Sequence, residues 1–261
     1  MVVEIEKALK YPLNFKPLFI LGMLIFLLLL ASFISLIFFS TEMRTGNANN
    51  GIFSPIVVYF LILVAAFVVL FTFFNGYMVS VSRSIMAGNN AKAPEITDIG
   101  KTFIEGIKFM IIGLAYAIAP LLFLLLAMMA TFTLWAFISV SFAEAVTIIM
   151  VFLYIFLLYP LFFVFHIAGA HFASTGSVRK ALNIPYIYSL VFGNLKAFTL
   201  DFIIYFIVTF VFLIATIFIV TYPFVIVASY VAGQYIFTIF YMESSGLAGA
   251  VPEKPALAQP T

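Results

Sequence analysis

The sequence predicts an all-α polytopic membrane protein, with six transmembrane helices arranged as three helical hairpins. Three observations lead to this prediction. Only 8% of the 261 residues are charged and 66% are hydrophobic, whereas a soluble domain carries roughly 25% charged residues. Apolar runs long enough to cross a bilayer, which takes about 20 helical residues, recur along the whole chain. The lysines and arginines gather on one side of these runs, as the positive-inside rule describes.

The predicted spans are nearly free of charge, and each is bounded by polar or turn-forming residues. Their approximate limits are residues 17–40, 55–80, 107–130, 145–171, 195–221 and 224–242. The first run is too long for a cleaved secretory signal, whose apolar core has about 7–15 residues. Ahead of it, Glu6 and Lys10 stand in the favourable i, i+4 order for a helical pair. Residues 1–16 are therefore either an amphipathic helix on the membrane surface or an unordered N-terminus.

The second hairpin follows the longest charged stretch of the chain, residues 93–108. Apolar residues recur there at helical spacing, and the charged residues fall mostly on the opposite face. The apolar positions are Ile96, Ile99, Phe103 and Ile107. This pattern predicts an amphipathic helix that lies in the plane of the interface and runs into the third span. Gly100 and Gly106 weaken such a helix and are candidate bends where the chain turns into the membrane.

The third span and the outer segment that follows it arise from one uncharged run, residues 109–143. This run is too long for one span and too short for two spans with a loop. Trp135 favours the headgroup level, so we expect residues 131–143 to form a weakly polar outer segment. Glu144 then marks the far side of the membrane, where the fourth span begins.

The third hairpin follows a polar turn and a short interfacial segment. Ser177 is placed to cap a short helix, and residues 181–196 are partly amphipathic and broken by Pro185. Tyr222-Pro223 makes a tight outer turn between the fifth and sixth spans.

The distribution of lysine and arginine predicts the orientation of the chain in the cell membrane. Eleven of the 12 fall on the side that holds both chain termini, and Arg44 falls on the other side. Because cytoplasmic loops carry the excess of basic residues, both termini should be cytoplasmic. We expect one six-span domain over residues 1–242 and a disordered tail of small residues and proline over residues 243–261.

The three hairpins share features that suggest copies of one unit. Each follows an interfacial segment with a proline and a lysine, and each second helix carries a glycine followed closely by Tyr or His. These glycine sites are Gly76-Tyr77, Gly169-Ala170-His171 and Gly233-Gln234-Tyr235. From Lys16 to Gly76 is 60 positions, and from Lys108 to Gly169 is 61. We interpret the pattern as an internal repeat, although basic residues and glycines are common at the cytoplasmic ends of any six-span protein.

The connection between the first two hairpins carries a motif. Its residues are Gly76, Tyr77, Arg83, Gly88, Pro94, Glu95, Ile96, Thr97, Asp98, Phe103, Ile104, Glu105, Gly106, Ile107 and Lys108. The motif resembles the core of an uncharacterised membrane family, catalogued as domain of unknown function 4013, which is common in archaea and also found in bacteria. The resemblance extends to Thr175-Gly176-Ser177, Ala181-Leu182-Asn183 and Asn194, so it covers nearly the whole chain. It implies a multi-span topology and an archaeal source, but no activity, and the family's usual basic segment after the last glycine–aromatic pair is missing here.

Asp201 is the clearest ionisable residue inside a predicted span. It lies five residues past Lys196, about one and a half turns into the fifth span. Ionisable groups inside a membrane are costly and often functional, which suggests a cation or proton site. The structural interpretation, which we favour, pairs Asp201 with Lys196, Lys108 or a tyrosine near the interface.

Two histidines and one asparagine are further candidates for an intramembrane polar site. His166 and His171 are five residues apart and do not share a helix face well. The chain has no cysteine, so we favour hydrogen bonds to neighbouring helices over a metal site. Asn75, within the second span, either bonds across helices or lines a pocket.

Pro120 and Pro160 fall near the middle of the third and fourth spans. Helices broken at mid-membrane often hold transporter substrates, but proline is common in membrane helices, and we favour simple kinks. Three small-xxx-small pairs indicate close helix packing. They are Gly113 with Ala117, Gly169 with Ala173, and Ser229 with Gly233.

The sequence has no phosphate loop, nucleophile–base pair or paired buried acids. We therefore expect no catalytic residue, no cofactor and no metal, and we do not expect an enzyme. The favoured function is a structural or accessory membrane component that binds lipid or a partner membrane protein. The alternative is a transporter or channel for a small or lipidic solute. Expected partners are membrane lipids, other membrane proteins or a second copy of the chain, but not nucleic acid.

The two functions predict different interiors. A continuous polar cavity that reaches Asp201, Asn75 or His166 would favour the transporter. A solid apolar bundle with exposed grooves would favour the accessory component.

Overall fold

The computed structural model describes residues 4–45, 55–137, 139–153, 164–217 and 221–247, and all regular structure in them is helical. The helices are α1 Ile5–Lys10, α2 Phe15–Thr45, α3 Pro55–Met86, α4 Ile99–Phe137, α5 Val140–Leu153, α6 Val164–Thr175, α7 Val178–Ala181, α8 Ile184–Gly193, α9 Leu195–Ile214 and α10 Tyr222–Ser244. A 3₁₀ turn, Ala215–Ile217, follows α9. This confirms the predicted all-α fold class.

Several of these helices are long and apolar enough to cross a membrane, as a polytopic protein requires. Four qualify within α2, α3, α9 and α10. The two halves of α4 are bent by 41° relative to each other between Ile118 and Leu121. That interval contains Pro120. If the two halves form one span, α4 is a fifth candidate.

The sequence predicts six spans, whereas the described helices provide four candidate spans, or five if α4 is counted. The difference lies in the predicted span 145–171, which the structure describes as α5 and α6 on either side of residues 154–163. Those intervening residues, Pro160 among them, lie outside the described part of the chain. With 14 and 12 residues, neither α5 nor α6 alone approaches the length of about 20 that a span needs. The predicted third span is part of the longer α4, which also takes in most of the predicted outer segment.

The predicted amphipathic helix over residues 93–108 is wrong in its extent. Residues 93–98 are not helical, and α4 begins at Ile99 and continues into the apolar run. The carboxylate of Asp98 accepts a hydrogen bond from the backbone N–H of Lys101 at 2.9 Å, which satisfies a donor of the first turn. Gly106 is not a bend, because α4 passes through it without interruption.

The short helices near the ends of the long ones follow local capping rules. Ion pairs Glu4–Lys7 and Glu6–Lys10 accompany α1. Ser177 caps α7 as predicted, since its hydroxyl accepts from the backbone N–H of Lys180. Pro185 does not break a helix but lies in the first turn of α8, where its missing N–H costs nothing.

The core of the molecule is centred on α10. About 72% of its apolar stretch is buried, against 11% in α2 and α3 and 33% in α9. The helix packs against α2, α3, α6 and α9. The predicted tail starts inside α10, which extends to Ser244, and residues 248–261 lie outside the described part of the chain.

Most basic residues lie at one end of the bundle, which we call the basic end. It is formed by α1, the start of α2, the end of α3, the start of α4, the end of α6, α7, α8 and the start of α9. Its residues are Lys7, Lys10, Lys16, Arg83, Lys92, Lys101, Lys108, Arg179, Lys180 and Lys196. Contacts across it include the ion pair Lys16–Glu95 at 3.1 Å.

Candidate functional site

The helices α3 and α4 make a reciprocal contact through the same four-residue spacing. Thr72 and Gly76 lie on α3, and Thr102 and Gly106 lie on α4. A Cβ at Gly76 would overlap the carbonyl oxygen of Thr102, and a Cβ at Gly106 would overlap the carbonyl oxygen of Thr72. Both positions therefore require glycine for the backbones to approach this closely.

An ion pair lies beside this contact. Arg83 Nη1 on α3 lies 2.5 Å from Glu105 Oε1 on α4. Arg83 Nε also donates to the carbonyl of Ala173 on α6 at 3.4 Å. The Glu105 side chain is 11% exposed and that of Arg83 is 34% exposed, so the pair links three helices at the border between the interior and the basic end.

Four fully buried polar side chains form a second group, which we call the central polar cluster. They are Ser82, His166, Gln234 and Thr238. Gln234 Oε1 accepts from His166 Nδ1 at 2.7 Å, and Gln234 Nε2 donates to Ser82 Oγ at 2.7 Å. The hydroxyls of Ser82 and Thr238 lie 2.9 Å apart. The cluster thus joins α3, α6 and α10 at a single amide.

The second histidine repeats this pattern nearer the basic end. His171 Nδ1 lies 2.8 Å from the hydroxyl of Tyr241, which is also 3.1 Å from Ser174 Oγ. Both histidines therefore face α10, although five residues separate them. They can do so because α6 and α10 run parallel, and each histidine meets a different turn of α10.

The other polar candidates lie on α3 and α9. The Asn75 amide donates to the carbonyl of Phe71 in its own helix at 2.7 Å. Asp201 is 3% exposed. It lies on α9 between Phe198 and Tyr205, whose rings both contact Phe237 of α10.

The family-motif residues mostly anchor the connection between α3 and α4. Tyr77 is buried, and its hydroxyl donates to the carbonyl of Pro94 at 3.0 Å. Glu95 pairs with Lys16, and the neighbouring Ala93 bonds the backbone carbonyl of Tyr11 at 3.0 Å. The motif therefore fastens the start of α2 to this connection, while Lys108 is exposed on α4.

Of the three glycines expected to pack closely, Gly169 and Gly233 lie against aromatic rings, and Gly113 has no close neighbour among the described residues. A Cβ at Gly169 would lie 2.5 Å from the ring of Phe109, and one at Gly233 would lie 2.9 Å from the ring of Tyr205. At Gly113 no described neighbour lies within 4 Å of that position. The close contact of α4 is at Gly106 instead.

An apolar groove separates α4 from α5 at the end opposite to the basic end. Its volume is about 780 Å³. It is lined by Phe123, Leu124, Ala127, Met128, Thr131, Phe132, Trp135, Val140, Glu144, Thr147, Ile148, Met150 and Val151. The hydroxyls of Thr131 and Thr147 bond each other across it at 3.2 Å. Among the described residues that line the groove, the exposed Glu144 is the charged one.

Sequence reasoning missed Gln234, the residue that organises the central polar cluster. Its signal was present, since Gln234 is the one side-chain amide in the predicted sixth span. It also missed the contact of α3 with α4, which the two Thr-x-x-x-Gly sequences at 72–76 and 102–106 could have indicated.

The comparisons with known proteins give one match. A family model described as "Protein of unknown function (DUF4013)" matches residues 58–225, well over half of the chain. None of the curated proteins and none of the solved structures matches.

Proposed function

The chain belongs to the DUF4013 family of proteins of unknown function, and from that premise we propose that it is an accessory membrane component that binds lipid. The proposed site is the groove between α4 and α5, and the proposed ligand is the hydrocarbon chain of a membrane lipid. The role is one of binding and not of catalysis.

The groove is the observation that supports this proposal. Its volume of about 780 Å³ falls within the roughly 300–1,000 Å³ of small-molecule sites. Its lining is apolar apart from two mutually bonded threonines and Glu144 at the rim. A hydrocarbon chain would leave no polar group of its own unsatisfied there.

The arrangement of the buried polar residues also favours a binding component over a transporter. In the central polar cluster, Gln234 bonds both His166 and Ser82. Asn75 bonds its own helix. Side chains that already bond one another have less capacity to bind a passing solute.

The test is native mass spectrometry of the full chain extracted in a mild detergent. We expect a lipid to remain bound to the protein and to be lost in Ala127→Trp, which fills the groove. Leu126→Trp is the matched control, because Leu126 is 64% exposed on α4 and does not line the groove. Retention of the lipid in Ala127→Trp, or a protein subunit bound in place of a lipid, would contradict the proposal.

A transporter remains the second candidate, and the buried Asp201 favours it. Uptake into proteoliposomes distinguishes the two functions. A flux of solute that Asp201→Asn abolishes would support transport and count against a purely accessory role.

We further propose that the protein lies in the cell membrane with both termini in the cytoplasm. The support is the concentration of lysine and arginine at the basic end. Because the chain contains no cysteine, single introduced cysteines report orientation directly. In intact cells, a membrane-impermeant maleimide should label Glu144→Cys and not Lys101→Cys. The reverse labelling would invert the topology.

The internal repeat and the archaeal source are also proposals. Two contacts support the repeat, since Gly169 and Gly233 both pack against an aromatic ring of the helix that begins their own unit. Superposition of the three hairpins tests it, and hairpins with different helix crossings would refute it. The archaeal source is supported by the family's distribution.

A further inference from the structure

The helix α8 has a buried face and an exposed apolar face. Its ten residues span about 15 Å, too short to cross a bilayer. Ile187, Leu190 and Val191 are buried against the bundle. Outside this buried face, Phe192 is 61% exposed, and Tyr186, whose ring also contacts His171 of α6, is 37% exposed.

The side chains of Ser189 and Asn183 already form hydrogen bonds with the backbone of α8. The hydroxyl of Ser189 lies between the two aromatic residues and donates to the carbonyl of Tyr186 at 2.7 Å. Asn183 caps the first turn by accepting from the backbone N–H of Tyr186 at 3.3 Å. The face can therefore enter an apolar environment without leaving these side chains unpaired.

Basic residues stand at both ends of α8. Arg179 and Lys180 precede it on α7, and Lys196 follows it in the first turn of α9. All three are exposed. Within the described residues, no carboxylate lies at ion-pair distance from any of them.

Three other cations of the basic end differ in this respect. Lys7, Lys10 and Lys16 each pair with a glutamate, at 3.1, 2.5 and 3.1 Å. The positive charge beside α8 is therefore not neutralised by the neighbouring protein, and it brackets an apolar face.

We propose that this α8 surface, formed by Arg179, Lys180, Tyr186, Phe192 and Lys196, binds the phosphate-bearing headgroups of anionic lipids. The three cations contact the headgroups, and the two aromatic side chains lie at the boundary between headgroups and hydrocarbon. Anionic leaflets attract basic segments by this mechanism, with a gain of about fivefold in affinity for each lysine or arginine near the surface. The site is at the opposite end of the bundle from the groove of the proposed function and does not depend on it.

The test measures lipid selectivity of the full chain in nanodiscs. Association of spin-labelled phosphatidylglycerol is compared with that of spin-labelled phosphatidylcholine. We expect the wild-type protein to prefer phosphatidylglycerol, and the variant Arg179→Gln/Lys180→Gln/Lys196→Gln to lose that preference by about tenfold or more. The matched control is Lys7→Gln/Lys10→Gln/Lys16→Gln, which removes the same charge from the same end and should keep most of the preference.

The possible results separate the proposal from its alternatives. An equal loss in both triple variants would make the preference a general property of the basic end and would overturn the proposal, as would no loss in either. Displacement by millimolar inorganic phosphate would identify a soluble anion as the ligand and would also overturn it.

Two further variants complete the design. Phe192→Ser should weaken association of both lipids and preserve their ratio, and an unchanged association would remove the aromatic residues from the proposed surface. Ala127→Trp should leave the selectivity unchanged, so this proposal and the proposed function can fail independently.

Discussion

At the scale of single residues, Gln234 has the largest structural role among the buried polar groups. Its amide uses both ends, accepting from His166 and donating to Ser82. Hydrogen bonds inside a bundle hold helices together because hydrophobic burial gives little drive when the solvent is itself hydrocarbon.

Gln234→Leu should therefore lower the free energy of unfolding by about 1–2 kcal/mol, since it leaves His166 and Ser82 without this partner. Asn75→Leu is the matched control and should change the free energy of unfolding by less than about 0.5 kcal/mol, because Asn75 bonds its own helix. Thermal or denaturant unfolding in detergent measures both. Equal losses of stability in Gln234→Leu and Asn75→Leu would show that the central polar cluster stabilises the fold no more than an amide bonded to its own helix.

The two glutamates of the family motif, Glu95 and Glu105, should differ in how much their substitution lowers the free energy of unfolding. Glu105→Gln weakens a mostly buried pair with Arg83 and should cost about 1–3 kcal/mol. Glu95→Gln weakens the pair with Lys16, whose side chains are 49% and 66% exposed, and should cost about 0–1 kcal/mol. The same unfolding measurements test this prediction. A larger loss of stability in Glu95→Gln than in Glu105→Gln would contradict the finding that the Arg83–Glu105 pair is the more buried one.

At the scale of helices, the structure shows which sequence patterns are informative and which are not. Long uncharged runs locate α2, α3, α9 and α10 well, because a helix needs about 20 apolar residues to cross a bilayer and such runs are visible in the sequence. The predicted helix over residues 93–108 has the right period, but its start depends on the Asp98 cap and on contacts with α3. Such contacts between distant segments are not visible in periodicity.

The contact between α3 and α4 gives a prediction at this scale. Gly106→Ala should lower the free energy of unfolding by about 1–3 kcal/mol, because the added methyl group overlaps the backbone of Thr72. Gly113→Ala, on the same helix with open space around it, should be neutral or stabilising by up to about 1 kcal/mol. Both are measured by thermal unfolding in detergent. A stable Gly106→Ala protein would mean that the two helices are farther apart than described.

At the scale of the whole molecule, the family match and the core do not coincide. The match ends at residue 225, where α10 has only begun, yet α10 is the most buried of the long helices. Composition predicts membrane helices but not which of them is central, because a lipid-facing and a protein-facing apolar surface look alike in sequence. The same limit hid the central polar cluster, whose members are 152 and 68 residues apart in the chain.

Removal of α10 should therefore prevent folding although most of the family region remains. A chain that ends at residue 221 loses the partners of His166, His171 and Ser82, and we expect it to be degraded or aggregated. A chain that ends at residue 247 keeps these contacts and should show the melting temperature of the full protein. Size-exclusion chromatography and thermal unfolding distinguish the outcomes, and a monodisperse 1–221 chain would contradict the central position of α10.

The reciprocal glycine contact has a mechanical consequence. It joins α3 to α4 closely near the basic end, whereas farther along the same α4 is bent by 41° between Ile118 and Leu121. The two leaflets should therefore meet a protein of unequal stiffness, with the compliant half on the side of the groove. A bilayer of different thickness would be accommodated mainly by that half, through tilt of the outer part of α4.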